Sequence, residues 1–141
     1  MYQVNAFGRI AILVHKFAAA DNAFGPTELW NDVFAVAAAN SSLESGIMWP
    51  GNTSSDPTQA IGELVTSIST FPDIGWPTGM YDSAATPGLV LLADSYKAVI
   101  WRIDTVTGGH TQFLEDPAPG IPANATSDLG INGIKVSSTS D

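Results

Sequence analysis

Asp94 and Ser95 sit side by side at the end of an unbroken apolar run, Leu89–Ala93. An acid placed there has two chemistries open to it. Aimed into a channel or pocket, Asp94 is a base or an oxygen ligand. Aimed into the following turn, with Ser95 helping, it accepts hydrogen bonds from that turn. The two histidines read as surface or packing residues rather than as a base. His15 alternates with apolar neighbours, and His110 follows a Gly-Gly turn. Trp101 falls on the apolar phase of a strand and reads as core. Trp76 and Trp49 fall in Pro/Gly-rich and Ser/Thr-rich stretches read as loops, where an indole can line a ligand pocket. The chain has no G-x-S-x-G, H-E-x-x-H or Gly-rich phosphate loop, so no motif marks a serine nucleophile, a zinc-bound water or a nucleotide.

The elements that hold these residues are strands. Leu89–Ala93 is apolar throughout, as in a strand buried on both faces. Ala98–Ile103 alternates, with Val99, Trp101 and Ile103 on one face and Ile100 and Arg102 on the other. Asp104–Gly109 is a turn signal, and His110–Leu114 follows it. Together they predict an antiparallel meander. Upstream, Arg9–Phe17 reads as a strand after a loose lead-in at Met1–Asn5. Pro26–Leu29 reads as a short inner strand, and Val33–Ala39 as a small-residue strand closed by Asn40-Ser41. Ser41–Gln59 reads as a long connection with at most one strand. Ile61–Phe71 alternates again, Phe71–Tyr81 is a punctuated turn into a short strand, and Leu129–Val136 reads as a strand.

Composition sets the outer limits. The 141 residues fit one domain spanning 1–141. Hydrophobic residues make up 45% and charged residues 13%, which favours a packed core over disorder. Fourteen acids against five bases give a formal charge of −9, which disfavours nucleic acid and anionic membranes as partners. Without cysteine, the chain has neither disulfides nor thiolate metal sites. No apolar run approaches the roughly 20 residues of a membrane span. The start does not read as a signal peptide, so the expected setting is cytoplasmic for a complete chain and secreted only after removal of an upstream signal. The sequons at Asn40, Asn52 and Asn124 read as incidental.

Gly25, Gly79 and Gly133 recur at intervals of 54 residues, and Phe17 and Phe71 keep the same interval. An apolar strand follows each of the first two glycines. This reads as a repeat of outer strand, Phe, loop, Gly, inner strand, turn and apolar strand. The period is a little longer than a propeller blade of roughly 40–50 residues.

Several stretches in order, Phe71-Pro72-Asp73, Gly79-Met80, Val90–Ser95, Val99–Thr105, Thr107-Gly108 and Leu129–Val136, resemble the SMP-30/gluconolactonase/LRE-like six-bladed propellers, particularly their fungal branch. The resemblance runs from about Phe17 to Val136 and is poor over Ser41–Gln59. It implies an all-β fold of antiparallel four-stranded blades, here a partial propeller of about two blades plus flanking strands. It also implies a channel site. Asn132, in Asn132-Gly133-Ile134, matches the family's element that ligates Ca²⁺ or Mg²⁺, and it reads equally well as a turn residue. Glu28 lies in the repeat-equivalent inner strand and is the second candidate ligand. Thr78 stands where the preceding repeat would carry the Asn, as a hydrogen-bond donor. A complete metal site within the chain is not expected.

Three functions follow from the resemblance. The first is an enzyme of fungal secondary metabolism that cyclises a small apolar molecule, in the manner of a hetero-Diels–Alderase. Asp94 and Thr78 would be its catalytic groups, and Trp76, Trp49, Met80 and Asn132 its substrate-binding residues. The second is a metal-dependent lactone hydrolase. The third is a non-catalytic propeller fragment. An open arc exposes sheet edges, so a homo-oligomer is expected.

Overall fold

The computed structural model describes residues 2–5, 7–13, 16–17, 20, 22–30, 33–39, 46–52, 67–71, 74–83, 86–115 and 130–136. These residues are all-β, with no helix among them. β1 (Tyr2–Asn5) and β2 (Ile10–Leu13) form an antiparallel hairpin. β4 (Thr27–Trp30), β5 (Val33–Ala39), β6 (Gly46–Asn52) and β7 (Ser69–Phe71) make a first large sheet. The short β3 (Asn22–Ala23) pairs further along β5. β8 (Pro77–Asp82), β9 (Leu89–Asp94), β10 (Val99–Asp104) and β11 (His110–Glu115) make a second sheet. In both, the run of four strands keeps chain order from β4 to β7 and from β8 to β11; short turns between antiparallel neighbours dictate it in the second sheet, whereas residues 53–68 separate β6 from β7 in the first. The all-β, antiparallel, four-stranded architecture read from the sequence is the one observed. It is consistent with a partial, propeller-like fold.

The second sheet shows why the pattern folds this way. β10 alternates, with Val99, Trp101 and Ile103 buried and Arg102 exposed, whereas β9 is buried on both faces from Val90 to Asp94. Val90, Leu92, Val99, Trp101 and Ile103 face Ala35 and Ala37 of β5, together with Phe71 and Ile74. Alanines on β5 leave room for these larger side chains. The opposite face of β5, Val36 and Ala38, packs on Phe17. The β10–β11 turn is fixed by Asp104, whose Oδ1 accepts from the backbone N–H groups of Val106 (2.8 Å) and Thr107 (3.0 Å). Gly108 then takes φ +74°, a conformation open to glycine at little cost.

Several boundaries differ from the sequence reading. Tyr2–Asn5 is not a loose lead-in but pairs with β2, residue against residue from Tyr2↔Leu13 to Asn5↔Ile10. Four residues are too short for alternation to announce them. The strand expected over Arg9–Phe17 is Ile10–Leu13, and neither Lys16 nor Phe17 is in a strand. From Ile61–Phe71 only Ser69–Phe71 is a described strand, and residues 61–66 lie outside the described residues. Residues 130–136, expected within a strand, carry no strand pairing. They are held instead by individual bonds: Gly130 N–H to the Ser95 carbonyl at 3.0 Å, and the hydroxyls of Thr78 and Ser95 to the Ile131 carbonyl.

Candidate functional site

Asp94 is the last residue of β9 and is fully buried. Its carboxylate lies inside the turn between β9 and β10 and against residues 75–76. Oδ2 accepts from Gly75 N–H at 2.7 Å, and Oδ1 accepts from Trp76 N–H at 2.9 Å. Oδ1 also accepts from the N–H groups of Tyr96 and Lys97, each at 3.1 Å, and the Trp101 indole N–H reaches Oδ2 at 3.4 Å. A carboxylate offers about four lone-pair sites, and five donors converge on this one. No acceptor capacity remains for a substrate proton or a cation. Of the two readings open at the sequence level, the geometry is that of the turn anchor, and the catalytic role assigned to Asp94 has no free oxygen to work with. Gly75 is part of the same device. A Cβ there would stand 2.8 Å from both Asp94 Oδ1 and Tyr96 Cβ.

Thr78, in β8, directs its hydroxyl at the Ile131 carbonyl (3.2 Å), with the Ala93 carbonyl further off at 3.5 Å. Ser95 donates to the same Ile131 carbonyl. The two hydroxyls clamp residues 130–132 onto the start of β8, and Asn132 follows the clamp as an exposed residue. Trp76, one residue before β8, is half-buried. Its ring stands edge-on to Phe24, centroids 5.1 Å apart at 75°. Met80 is half-buried and packs against the main core cluster, so its side chain contributes to the core. The structure therefore brings Trp76, Thr78, Asp94 and Asn132 into one neighbourhood.

It does not bring all the predicted residues there. Trp49 lies in β6 opposite Val36, not in a loop. Ile47-Met48-Trp49 is an apolar cluster of three residues, too short for a strand period and flanked by polar residues and Pro50. Glu28 is exposed on β4, and β8 stands between β4 and residues 130–134, the positions of the two proposed ligands. No group of three or more His, Cys, Asp or Glu able to hold a metal occurs among the described residues. Asp94 is committed to its turn, so among the described residues Asn132 and Glu28 do not come together with it as the six or more oxygens that Ca²⁺ takes.

One residue gains importance beyond the sequence reading. Phe24 directly precedes a repeat glycine, Gly25, and that offset was its only signal. His110 behaves as a packing residue. Its ring lies 4.6 Å from Phe71 and 5.9 Å from Trp101, with Ser69 Oγ 3.3 Å from Nδ1. His15 lies outside the described residues. Two acids are perturbed in opposite directions. Burial pushes the Asp82 carboxyl above its ordinary value, and Oδ1 there has no hydrogen-bond partner. The backbone N–H groups of Thr107 and Val106 hold Asp104 below its ordinary value.

The fold and site define a class, an all-β protein of antiparallel meanders with an aromatic and hydroxyl cluster at the β8 edge. No family model matches the chain, and no curated protein matches it. No helix among the described residues is long and apolar enough to cross a membrane.

Proposed function

We propose that the chain is an arc of a propeller of the SMP-30/gluconolactonase/LRE-like kind, and that its inner edge binds a small, largely apolar organic molecule and shapes it for cyclisation. The observation that supports this reading is the meeting of the repeat glycines. A Cβ on Gly25 would lie 3.3 Å from the Thr78 carbonyl, and one on Gly79 would lie 2.7 Å from Gly133 Cα. Inner segments of successive repeats thus run side by side, as they do around a propeller axis. Along that line stand the Trp76–Phe24 ring pair, the Thr78 hydroxyl and the exposed Asn132.

Such a surface suits a pericyclic closure such as a hetero-Diels–Alder reaction. The barrier falls when the reacting ends are held in contact, and one or two hydrogen bonds stabilise charge developing on the heteroatom. Trp76 supplies the apolar wall. Asn132 is the donor best placed by its exposure, and Thr78 keeps residues 130–132 in register. Metal-dependent lactone hydrolysis is the alternative, and a metal-dependent, chelator-sensitive reaction distinguishes it.

The test incubates the purified chain with a panel of diene–heterodienophile substrates and a panel of lactones, followed by mass spectrometry, with and without chelator. Accelerated, chelator-insensitive cyclisation that Trp76→Ala weakens supports the proposal. Chelator-sensitive lactone opening, or no turnover and no quenching of tryptophan fluorescence by any panel member, overturns it.

A further inference from the structure

We infer that Asn132-Gly133 is a self-modifying site. In the folded protein the Asn132 side chain closes onto the Gly133 backbone nitrogen, loses ammonia and reopens as isoaspartate or aspartate.

This chemistry asks for an amide side chain open to solvent, a following backbone nitrogen free to attack, and no group crowding that nitrogen. Seven asparagines occur in the sequence, and only Asn132 is followed by glycine. Asn132 is exposed. Among the described residues, neither its side chain nor the Gly133 N–H makes a hydrogen bond. Residues 130–136 carry no strand pairing, so no ladder bond ties up the attacking amide. The fold also has no use for glycine at this position among the described residues. Gly88 and Gly108 take positive φ, and Gly133 does not. A Cβ on Gly79 would stand 2.7 Å from Gly133 Cα, whereas a Cβ on Gly133 would meet nothing within 4 Å. The fold needs glycine at 79 and tolerates a side chain at 133. What a side chain at 133 would change is the reaction. A Cβ beside the attacking nitrogen crowds the ring closure and narrows the backbone angles that reach it.

The step balances with water alone. Solvent takes the Gly133 amide proton as the nitrogen attacks Asn132 Cγ. The N–Cγ bond forms, the Cγ–Nδ2 bond breaks, and Nδ2 leaves with a proton as ammonia, giving a cyclic imide. Water then opens the ring. Attack at Cγ restores the ordinary backbone with an aspartate. Attack at the Asn132 backbone carbonyl carbon leaves isoaspartate, whose main chain runs through Cβ and Cγ and is one atom longer.

The surroundings decide what the change does. On one side, the Ile131 carbonyl is held by the Thr78 and Ser95 hydroxyls. On the other, Gly133 lies against Gly79. An added main-chain atom between these anchors has no room on the β8 side and displaces residues 130–134. Both products also replace an amide, which donates, by a carboxylate, which only accepts. The site proposed above would thereby lose its exposed donor; this consequence rests on that functional reading, and the modification itself does not.

The purified protein is aged at physiological temperature and mapped by mass spectrometry, with fragmentation that separates isoaspartate from aspartate. The expected result is conversion at Asn132 ahead of every other asparagine, with faster deuterium exchange of the Gly130 amide in the isoaspartate fraction. Gly133→Ala should slow conversion about tenfold or more and leave the melting temperature unchanged. Asn132→Gln, which must close a larger ring, should stay unmodified. Conversion in the urea-unfolded chain but none in the native protein, conversion that persists in Gly133→Ala, or another asparagine converting first overturns the inference. Conversion at Asn132 in a protein that turns over no panel substrate sinks the functional reading alone. Turnover that Asn132→Asp weakens, in a native protein that never converts, sinks the modification alone.

Discussion

Gly79 and Gly133 meet backbone to backbone: a methyl group on Gly79 would fall 2.7 Å from Gly133 Cα and 3.3 Å from Ile134 N. Neither neighbour is a flexible side-chain tip that could swing aside. Gly79→Ala must therefore push residues 132–134 off β8, and overpacking of this kind costs about 1–3 kcal/mol. The Gly130 amide, bonded to the Ser95 carbonyl, should then exchange with deuterium faster, while the β9–β10 ladder keeps its protection. An unchanged melting temperature together with unchanged Gly130 exchange would falsify the close approach.

The same two glycines show how much was legible beforehand. Their spacing, with Phe17 and Phe71, marked the repeat, and long alternating or fully apolar segments marked β5, β9 and β10. Physical signals of that strength survive in sequence because burial imposes them on every residue. Residues 130–136 misled because their apolar content mimics a strand, while the forces that hold them are two hydroxyls and one amide, which leave no period. Asp94 was visible as an acid at a strand end. Its saturation depends on Gly75 and Trp76, 19 and 18 residues earlier, and no local pattern connects them.

Asp94→Asn tests that saturation. The amide keeps the shape but points an NH₂ group at backbone donors and removes the charge. Hydrogen bonds to a charged group contribute roughly 1.5–3 kcal/mol, and a buried unsatisfied donor adds to the loss. The expected destabilisation is about 2–4 kcal/mol in urea unfolding. Asp94→Ala should cost at least as much. A change in Asp94→Asn below the scatter of exposed surface substitutions, about 0.5 kcal/mol, would return Asp94 to the list of available catalytic groups.

Acid titration should show two phases of opposite sign. Asp82 has its folded pKa raised by burial, so the folded protein takes up this proton more readily than the unfolded chain. The cost of holding Asp82 charged is present at neutral pH and is relieved as pH falls through the raised value. Asp104 has its folded pKa lowered by the Thr107 and Val106 N–H groups. Its contribution is present above the ordinary carboxylate value and is lost as pH falls through the depressed one. Melting temperature measured from neutral to acid pH should rise slightly and then drop. Asp82→Asn should be more stable than the parent at neutral pH and lack the rise. Asp104→Asn should blunt the drop. A pH profile of Asp82→Asn parallel to that of the parent protein would contradict the assignment to Asp82.

Substitutions at Trp76 and Asn132 separate the proposed binding surface from a metal site. Trp76 is held by its backbone at Asp94 and by its ring at Phe24, so Trp76→Ala removes an apolar wall without touching the carboxylate anchor. Burying one face of an indole contributes on the order of 1–2 kcal/mol to a bound apolar ligand. The substitution should weaken binding of a cyclisation substrate roughly tenfold, by fluorescence-independent calorimetry. Asn132 is exposed and follows the Ile131 clamp. Asn132→Ala should therefore lower the turnover of bound substrate more than its affinity, because a donor that serves developing charge acts chiefly in the transition state. Neither variant should alter calcium retention after gel filtration, since the described donors do not assemble a cation site. Stoichiometric calcium in the parent that disappears in Asn132→Ala would reverse the argument, making Asn132 a ligand and lactone hydrolysis the better reading.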